Sequence, residues 1–342
     1  MKRQFLMLLL IGVLLALPLQ ARHTEPFHGL KFDALPTLWD EAIPLGNGII
    51  GNLIWEKEGR LRIALDRADL WDLRPVKEFE SPDYSYQFVC DQVINKKDVS
   101  KVQALIDDRS RKDCAPTKIP VGAIEFPISQ LGKVKAVQLD VQTAVCTITW
   151  ECGATASFFT DAVSGMGYFR FTNLPEALSV ELETPRYEDN GSEVQKVVAP
   201  RTHLLTRLGY KNGKITRRNN QIVYRQKAYG KVAYEVALQW DTPQPDVLEG
   251  KYCITTQGTW YSEKEQASEL LKTSAKDFDT ALAGHLDWWK AYWEKSQIDL
   301  PDKTLEHQWY MEMYKFGAAS RKNAPPICLQ ACLLYTSPSP RH

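Results

Sequence analysis

The hydrophobic residues of this 342-residue chain change their spacing near Ser262, and this change limits the folds that the chain can adopt. Between about residues 45 and 260 the dominant period is two, because apolar residues alternate with polar or small ones. After Ser262 the apolar residues recur every three or four positions. A period of two is typical of half-buried strands and the longer period is typical of helices. The sequence therefore predicts a β-rich part followed by a helical part.

Four segments carry the strand pattern most clearly: "VQLDV", "CTITW", "LSVELE" and "KVAYEVALQW". Asn-Gly pairs at Asn190-Gly191 and Asn212-Gly213 are typical of hairpin turns between such strands. Strands with one apolar and one wetter face pack face to face in antiparallel sheets. The pattern predicts a mainly β fold, a large antiparallel β-sandwich, with one short helix near "DVSKVQALIDD".

Two helices follow the strands. Ser262 and Glu265 have the spacing of a capping box, and an apolar stripe then runs through Leu282, His285, Trp288, Trp289, Tyr292 and Trp293. Pro301-Asp302 predicts the start of a second helix. We expect Leu305, Trp309, Met313 and Phe316 on one side of it, with Tyr310 and Tyr314 widening the apolar face. Both faces need partners and the sequence supplies none after them, so we expect an unfinished helical domain.

Charge and composition exclude several classes of partner. Lys+Arg and Asp+Glu both number 42, which leaves a net charge of zero and no basic run of the kind that follows phosphates. We therefore expect no nucleic-acid partner. The six His are scattered, and none has metal-ligand spacing from a Cys or another His, so we expect no metal and no other cofactor.

The N-terminus has the three parts of a secretory signal. Lys2 and Arg3 precede an apolar segment that continues to Leu19, and Gln20-Ala21 follow. We expect residues 1–21 to be removed on export, which predicts a periplasmic or extracellular protein with no membrane contact after cleavage; an uncleaved anchor helix is the alternative. Export permits disulfides, but isolated thiols are as plausible as a bridge for Cys146 with Cys152 and for Cys90 with Cys114.

The segment "LWDEAIPLGNGIIGNLIW" is followed by "EGRLRIALDRADLWD". Its glycines around Asn47 indicate a tight turn with a close backbone approach, and two strands follow. We expect the second strand to end at Asp66, with Asp69, Trp71 and Asp72 exposed in the next turn. Aspartates at a strand end are common for capping and solvation.

These two segments resemble the opening of glycoside hydrolase family 95, the inverting α-L-fucosidases and their relatives. The matching residues are Trp39, Glu41-Ala42, Pro44 to Gly48, Gly51, Leu65 and Asp69 to Trp71. Asp66-Arg67-Ala68 stands where many members of that family carry Asn-Glu-Asp. The resemblance implies an N-terminal β-sandwich in front of an (α/α)6 catalytic barrel.

A second similarity lies in "HLDWWKAYWEKSQIDLPDKTLEHQWYMEMYKFGAASRKNAPPICLQA", which resembles that family's linker helix and the first helix of its barrel. We therefore expect a sandwich over residues 22–261, a helical linker over 262–300 and the first helix of a truncated barrel over 301–331. Residues 332–342, "CLLYTSPSPRH", resemble the translation of a transposase-type sequencing adaptor, so we expect them to be read-through; a genuine Ser/Pro-rich tail is the alternative.

The resemblance implies an exported glycosidase that hydrolyses α-L-fucosyl or L-galactosyl glycans with inversion. That family's catalytic acid and base lie deep in the barrel, so we assign no catalytic residue to this chain and expect it to be inactive. The resemblance puts Asn47, Asp69, Trp71, Arg321 and Gln330 near a glycan substrate. Two alternatives are a carbohydrate-binding sandwich without catalysis and a glycoside phosphorylase, although export argues against the second. The sequence carries no signal for an oligomeric state.

Overall fold

The computed structural model describes residues 28–76, 80–105, 117–188, 203–274, 276–322 and 324–325. The predicted signal segment, the tail, Gln330, Cys114 and the Asn190-Gly191 turn lie outside these residues. The strands are β1 (Gly29–Phe32), β2 (Ile43–Gly46), β3 (Ile50–Lys57), β4 (Arg60–Arg67), β5 (Trp71–Asp72), β6 (Thr117–Lys118), β7 (Gly122–Pro127), β8 (Val134–Asp140), β9 (Val145–Trp150), β10 (Thr155–Thr160), β11 (Met166–Thr172), β12 (Glu181–Glu183), β13 (Lys214–Arg218), β14 (Gln221–Lys227), β15 (Ala233–Gln244) and β16 (Val247–Gln257).

The α-helices are α1 (Tyr86–Cys90), α2 (Ser100–Gln103), α3 (His203–Thr206), α4 (Ala267–Thr273), α5 (Phe278–Trp293) and α6 (Lys303–Ala319). Short 3-10 helices form at Trp39–Glu41 and Ser129–Leu131, and a π-helical turn at Asp91–Asn95 continues α1. The short helix predicted near "DVSKVQALIDD" is confirmed by α2. None of the described helices is long and apolar enough to cross a membrane.

Two large antiparallel sheets form the body of the protein. The order is β1-β8-β9-β10-β11-β16-β15-β14-β13 in one sheet and β12-β7-β4-β3-β2 in the other, and β5 pairs with β6 alone. The apolar residues of "CTITW" are buried whereas the residues between them are half-buried. One main core cluster contains apolar side chains from both sheets. The predicted mainly β fold and the β-sandwich are confirmed.

The turn prediction at Asn212-Gly213 was wrong. These two residues precede β13, and the Asn212 side chain accepts a hydrogen bond from the Tyr187 backbone N–H (2.7 Å). The hairpin instead turns at Asn219-Asn220, where Arg218 pairs with Gln221 and Asn219 has a φ of 39°. Asparagine tolerates this left-handed conformation better than most residues, so an Asn-Asn pair can replace Asn-Gly.

The helix-start predictions had mixed outcomes. Asp302 caps α6, since its carboxylate accepts hydrogen bonds from the backbone N–H groups of Thr304 and Leu305. The Ser262 and Glu265 capping box was wrong, because α4 begins only at Ala267 and the Ser262 hydroxyl is bonded to Thr259.

The buried face of α6 is also turned from the predicted one. Tyr310 and Tyr314 are buried, whereas Leu305 and Phe316 are 61% and 59% exposed. The reason is that tyrosine reaches polar partners beneath the helix: the Tyr314 hydroxyl donates to the Pro44 carbonyl (2.6 Å). A prediction from the spacing of hydrophobic residues expects Leu and Phe to be more buried than Tyr, because it takes no account of a hydrogen bond to a distant backbone group.

Helices α5 and α6 find their partners earlier in the chain, in the sandwich. Trp289, Trp293, Tyr310 and Tyr314 belong to the same core cluster as the inner faces of both sheets. The Trp293 indole N–H donates to the Val141 carbonyl (3.0 Å), which anchors α5 to the segment after β8. The sandwich, which precedes these helices in the chain, therefore covers part of their apolar faces, and the unfinished helical domain stays a prediction.

The cysteines at described positions that the sequence paired are free thiols. Cys146 is buried and Cys152 is exposed, and no bridge joins them. Cys90 is also free at the end of α1.

Trp289 provides a test of this helix-to-sandwich packing. Its side chain is fully buried in the shared core, so Trp289→Ala should lower the free energy of unfolding by about 3–5 kcal/mol. Urea unfolding measures the change. Trp260→Ala is the matched control, since Trp260 is 64% exposed and its loss should change stability by less than about 0.5 kcal/mol. Equal effects of the two substitutions would contradict the packing.

Candidate functional site

The turn between β2 and β3 is the first part of the candidate site. The Asn47 amide donates to the backbone carbonyls of Asp161 (3.0 Å) and Ser164 (2.9 Å). Its side-chain oxygen accepts from the backbone N–H groups of Ile49 (3.2 Å) and Ile50 (2.9 Å). These four bonds use the full hydrogen-bonding capacity of the side chain. Asn47 therefore shapes the turn and joins it to the β10–β11 connection of the other sheet.

Gly48 brings the end of α6 onto this turn. Its φ is +85°, which favours glycine, and its backbone N–H donates to the Ala318 carbonyl (2.7 Å). A Cβ atom on Gly48 would lie 2.7 Å from Cγ of Arg321, closer than two carbon atoms can approach. The sequence prediction of a close backbone approach here is confirmed, and the approaching segment is residues 318–321.

Arg321 stacks on the aromatic residues of α5. The centre of its guanidinium is 3.8 Å from the Trp288 ring centroid and 5.7 Å from that of Trp289. Nη1 donates to the Ser320 carbonyl (2.8 Å), while Nε and Nη2 are buried and have no hydrogen-bond partner among the described residues. Burial lowers the pKa of Arg321 to about 10, which leaves it charged at neutral pH. Two N–H donors of a fixed cation are therefore left without a described partner, and a guanidinium edge of this kind matches a carboxylate or paired hydroxyls in geometry.

His285 lies below the same corner and is held neutral. The Ala162 backbone N–H donates to its Nδ1 (3.1 Å), so the proton sits on Nε2, which lies 2.9 Å from the Thr143 carbonyl. Burial lowers the pKa of His285 to about 4. The ring therefore joins α5 to two connections of the nine-stranded sheet and carries no charge at neutral pH.

The three aspartates after β3 are buried, which corrects the expectation that Asp69 and Asp72 are exposed. Relative exposures are 2% for Asp66, 3% for Asp69 and 1% for Asp72. Each has a cationic partner that lies elsewhere in the fold or two residues away. β4 also continues past Asp66 to Arg67.

Asp69 and Arg67 form a buried network. Arg67 donates to Asp69 Oδ1 (2.8 Å) and Glu263 Oε1 (2.6 Å), and Thr256 and Thr259 hydroxyls donate to Asp69 Oδ2. Burial alone would raise the pKa of Asp69, but the Arg67 charge and the hydroxyl donors outweigh it and lower the pKa. This carboxylate stays ionised and holds the end of β4 to the segment after β16.

Asp72 and Trp71 also have hydrogen-bond partners and nearby cations within the fold. The Asp72 carboxylate pairs with Arg74 (2.5 Å) and accepts a hydrogen bond from the Tyr210 hydroxyl. The Trp71 indole N–H donates to the Ala68 carbonyl (3.0 Å), and the Lys118 ammonium lies 5.7 Å from its ring centroid. The Trp71 ring is half-buried, so part of it remains accessible.

Asp66 has the most perturbed acid group in this region. Its carboxylate lies 2.8 Å from the Lys118 ammonium, yet neither oxygen accepts a well-directed hydrogen bond from a described residue. Burial raises the pKa of Asp66 to about 6, although Lys118 acts in the opposite direction. A carboxyl group with such a pKa could act as an acid, but the ion pair and the 2% exposure remove it from contact with a ligand.

The predicted site residues at described positions, Asn47, Asp69, Trp71 and Arg321, therefore meet around one corner of the sandwich. Asn47 and Arg321 both contact the turn at Gly48, and a hydrogen bond from the Ala68 N–H to the Ile49 carbonyl (2.8 Å) joins that turn to Asp69 and Trp71. Sequence reasoning missed Lys118 and Glu263, and no local pattern marks either of them. The substrate-binding role stays a prediction; of the predicted residues that the structure describes, Trp71 keeps an accessible surface and Arg321 keeps two N–H donors without a described partner. Within the described ranges no three potential ligands cluster around a metal position.

The fold and this corner define the class of protein as a two-sheet β-sandwich that carries helices over one corner. The family model described as Glycosyl hydrolase family 65, N-terminal domain, matches residues 30–278, well over half of the chain. The chain belongs to this family. A comparison with curated proteins found no match. The predicted glycoside hydrolase sandwich is thereby confirmed, whereas the narrower resemblance to family 95 stays a prediction.

Substitution by methionine should affect the stability of the protein differently at Arg67 and at Arg321. Arg67→Met leaves Asp69 and Glu263 without their cation and should cost about 3–5 kcal/mol of unfolding free energy. Arg321→Met removes an unpaired buried charge while keeping the contact with Trp288, so stability should change by less than about 1 kcal/mol or rise. Urea unfolding of both variants measures this. Similar losses would mean that Arg321 serves the fold alone.

The raised pKa of Asp66 predicts that the free energy of unfolding depends on pH. Its pKa is about 6 in the folded protein and 3.8 when unperturbed, so its contribution to stability is present below pH 3.8 and is lost as pH rises through 6. Two pKa units correspond to roughly 3 kcal/mol. Asp66→Asn cannot ionise, so it should gain up to about that amount relative to the unmodified protein between pH 4 and pH 7.

Unfolding free energies of both proteins at pH 4 and pH 7 give the test. The other titrating groups are common to the two proteins and cancel in the difference. A difference that is the same at both pH values would contradict the raised pKa of Asp66.

Proposed function

We propose that this chain is the N-terminal, non-catalytic sandwich of an exported glycosidase that hydrolyses α-L-fucosides, or similarly shaped α-L-galactosides, with inversion. The family match supports the glycoside hydrolase class and a glycan substrate. The sugar, the stereochemistry and export rest on the family 95 resemblance and on the signal-like residues 1–21.

One observation carries the proposal. The two segments that resemble family 95 are about 270 residues apart in the chain, yet they are in contact: Tyr314 OH donates to the Pro44 carbonyl, and the Gly48 N–H donates to the Ala318 carbonyl. Two motifs of one resemblance that pack against each other support a common origin better than either motif alone.

The acids near this contact do not suit catalysis in this chain. Inverting hydrolysis needs a protonated acid and a base about 6.5–9.5 Å apart on opposite sides of the sugar bond. Asp66, Asp69 and Asp72 are instead paired with cations in the protein interior. We therefore assign the acid and base to a helical domain beyond the sandwich, and give Arg321 the task of lining the approach to it.

An activity assay tests the proposal. The purified 342-residue chain and a chain extended through the downstream codons of the source DNA are each incubated with a fucosyl-α-1,2-galactoside. We expect no fucose from the first above the enzyme-free blank. From the second we expect β-L-fucose as the first product, read by proton NMR before the anomers equilibrate.

The same assay with and without inorganic phosphate separates hydrolysis from phosphorolysis. If a sugar 1-phosphate is released only when phosphate is present, the enzyme is a phosphorylase and the proposed hydrolysis is wrong. Release of fucose by the 342-residue chain would overturn the assignment of the catalytic acids, and a fully inactive extended chain would overturn the choice of sugar.

A further inference from the structure

A row of polar side chains crosses the outer face of the nine-stranded sheet. Strand pairing sets Arg218 opposite Gln221, Gln221 opposite Gln239, and Gln239 opposite Lys251. Residues directly opposite each other in a sheet point to the same face, so these four side chains form one line across β13 to β16. At about 4.8 Å per strand the line is roughly 14 Å long.

The neighbouring row on this face is apolar and covered. Val223, Ala237 and Cys253 pair in the same way and pack under Ala267 and Leu271 of α4. Helix α4 ends at Thr273, and the carbonyl of the next residue, Ser274, accepts a hydrogen bond from Lys251 Nζ (2.7 Å). The helix thus covers the apolar row and leaves the polar row open beside it.

The polar row is the floor of a cavity of about 470 Å³. Asn220, Leu271, Lys272 and Ser274 complete its lining. A volume of this size falls in the range of roughly 300–1,000 Å³ that small-ligand sites occupy. The site is therefore large enough for a short oligosaccharide.

The side chains of this floor are available to a ligand. Among the described residues, no hydrogen bond or ion pair occupies the side chains of Arg218, Asn220, Gln221 or Gln239. An amide group both donates and accepts hydrogen bonds, as sugar hydroxyls require.

The lining carries positive charge without a carboxylate. It includes Arg218, Lys251 and Lys272, of which Lys272 is paired with Glu269 (2.7 Å). The nearest acidic row on this face consists of Asp241 and Glu249, and Arg170 neutralises Glu249 (2.8 Å). An anionic group is thus favoured at the Arg218 end of the cavity, away from Asp241.

We propose that this cavity is a non-catalytic binding site for an acidic oligosaccharide, in which Arg218 binds a uronate carboxylate and the three amides bind hydroxyls. A guanidinium pairs with a carboxylate through two parallel hydrogen bonds. A polar row about 14 Å long, with two amides between its two cationic ends, suits a chain of sugars better than a compact inorganic anion. The choice of a sugar rests on the proposed glycosidase role, whereas the position and the charge preference rest on the cavity alone.

Calorimetric titration of the folded chain with tri-galacturonic acid tests the site, with the fully methyl-esterified trisaccharide as the neutral match. We expect saturable binding of the acid, at least about tenfold weaker binding of the ester, which corresponds to about 1.4 kcal/mol, and weaker binding of the acid at high salt. Absence of binding, or equal affinity for acid and ester, overturns the proposal. Inorganic phosphate that binds as tightly as the acid overturns the sugar assignment.

Variants locate the binding. Arg218→Gln should weaken binding about tenfold, and Gln239→Glu, which puts a carboxylate in the middle of the row, should abolish it. Arg217→Gln is the matched control, because Arg217 is exposed on the opposite face of the same strand, opposite Ile222. If the Arg217 variant loses binding, or if the Arg218 and Gln239 variants bind as tightly as the unmodified protein, the proposed position of the site is wrong.

This titration measures affinity and not turnover, so its failure is distinguishable from failure of the glycosidase proposal. If the chain binds the acid but the extended chain releases no fucose, the binding site in the cavity is supported and the proposed α-L-fucosidase activity is not.

Discussion

The close packing of the Gly46–Gly48 turn against the end of α6 is the contact on which the rest of the structure depends. A Cβ atom on Gly46 would lie 2.8 Å from the Ala318 carbonyl oxygen, so neither glycine can carry a side chain without moving the helix. The turn lies in the five-stranded sheet, and Asn47 bonds it to the β10–β11 connection of the other sheet. One short turn therefore fixes both sheets and the helices relative to one another.

Charged groups in this protein are buried where the fold can pair them. Arg67 reaches from β4 to the segments after β16 and satisfies two carboxylates and two carbonyls, which makes it a structural cross-link. Arg321 has two buried nitrogens of the same kind, but within the described part of the chain it has one side-chain hydrogen bond and an aromatic stack. The difference separates a cation that holds the fold from one whose capacity for binding is still unused.

The sequence predicted what depends on local periodicity and failed where long-range partners decide. Strand alternation, the Asp302 cap and the glycine turn follow from local geometry and were confirmed. The burial of Asp66 depends on Lys118, and that of Asp69 depends in part on the Thr256 and Thr259 hydroxyls, which no local pattern connects to these aspartates. The orientation of α6 depends in the same way on the Pro44 carbonyl, a backbone group whose position only the fold determines.

Two buried groups at this corner give the fold opposite responses to pH. His285 has a pKa of about 4 in the folded protein and 6.5 when unperturbed, so the unfolded chain binds more protons between these values and stability rises with pH there. Asp66 titrates near 6 instead of 3.8, so its contribution falls over nearly the same interval. Each shift is worth roughly 3 kcal/mol, and the two largely cancel. The sandwich thus buries both a neutral histidine and an aspartate of raised pKa, and as a pair these two groups add little to the pH dependence of stability between pH 4 and 6.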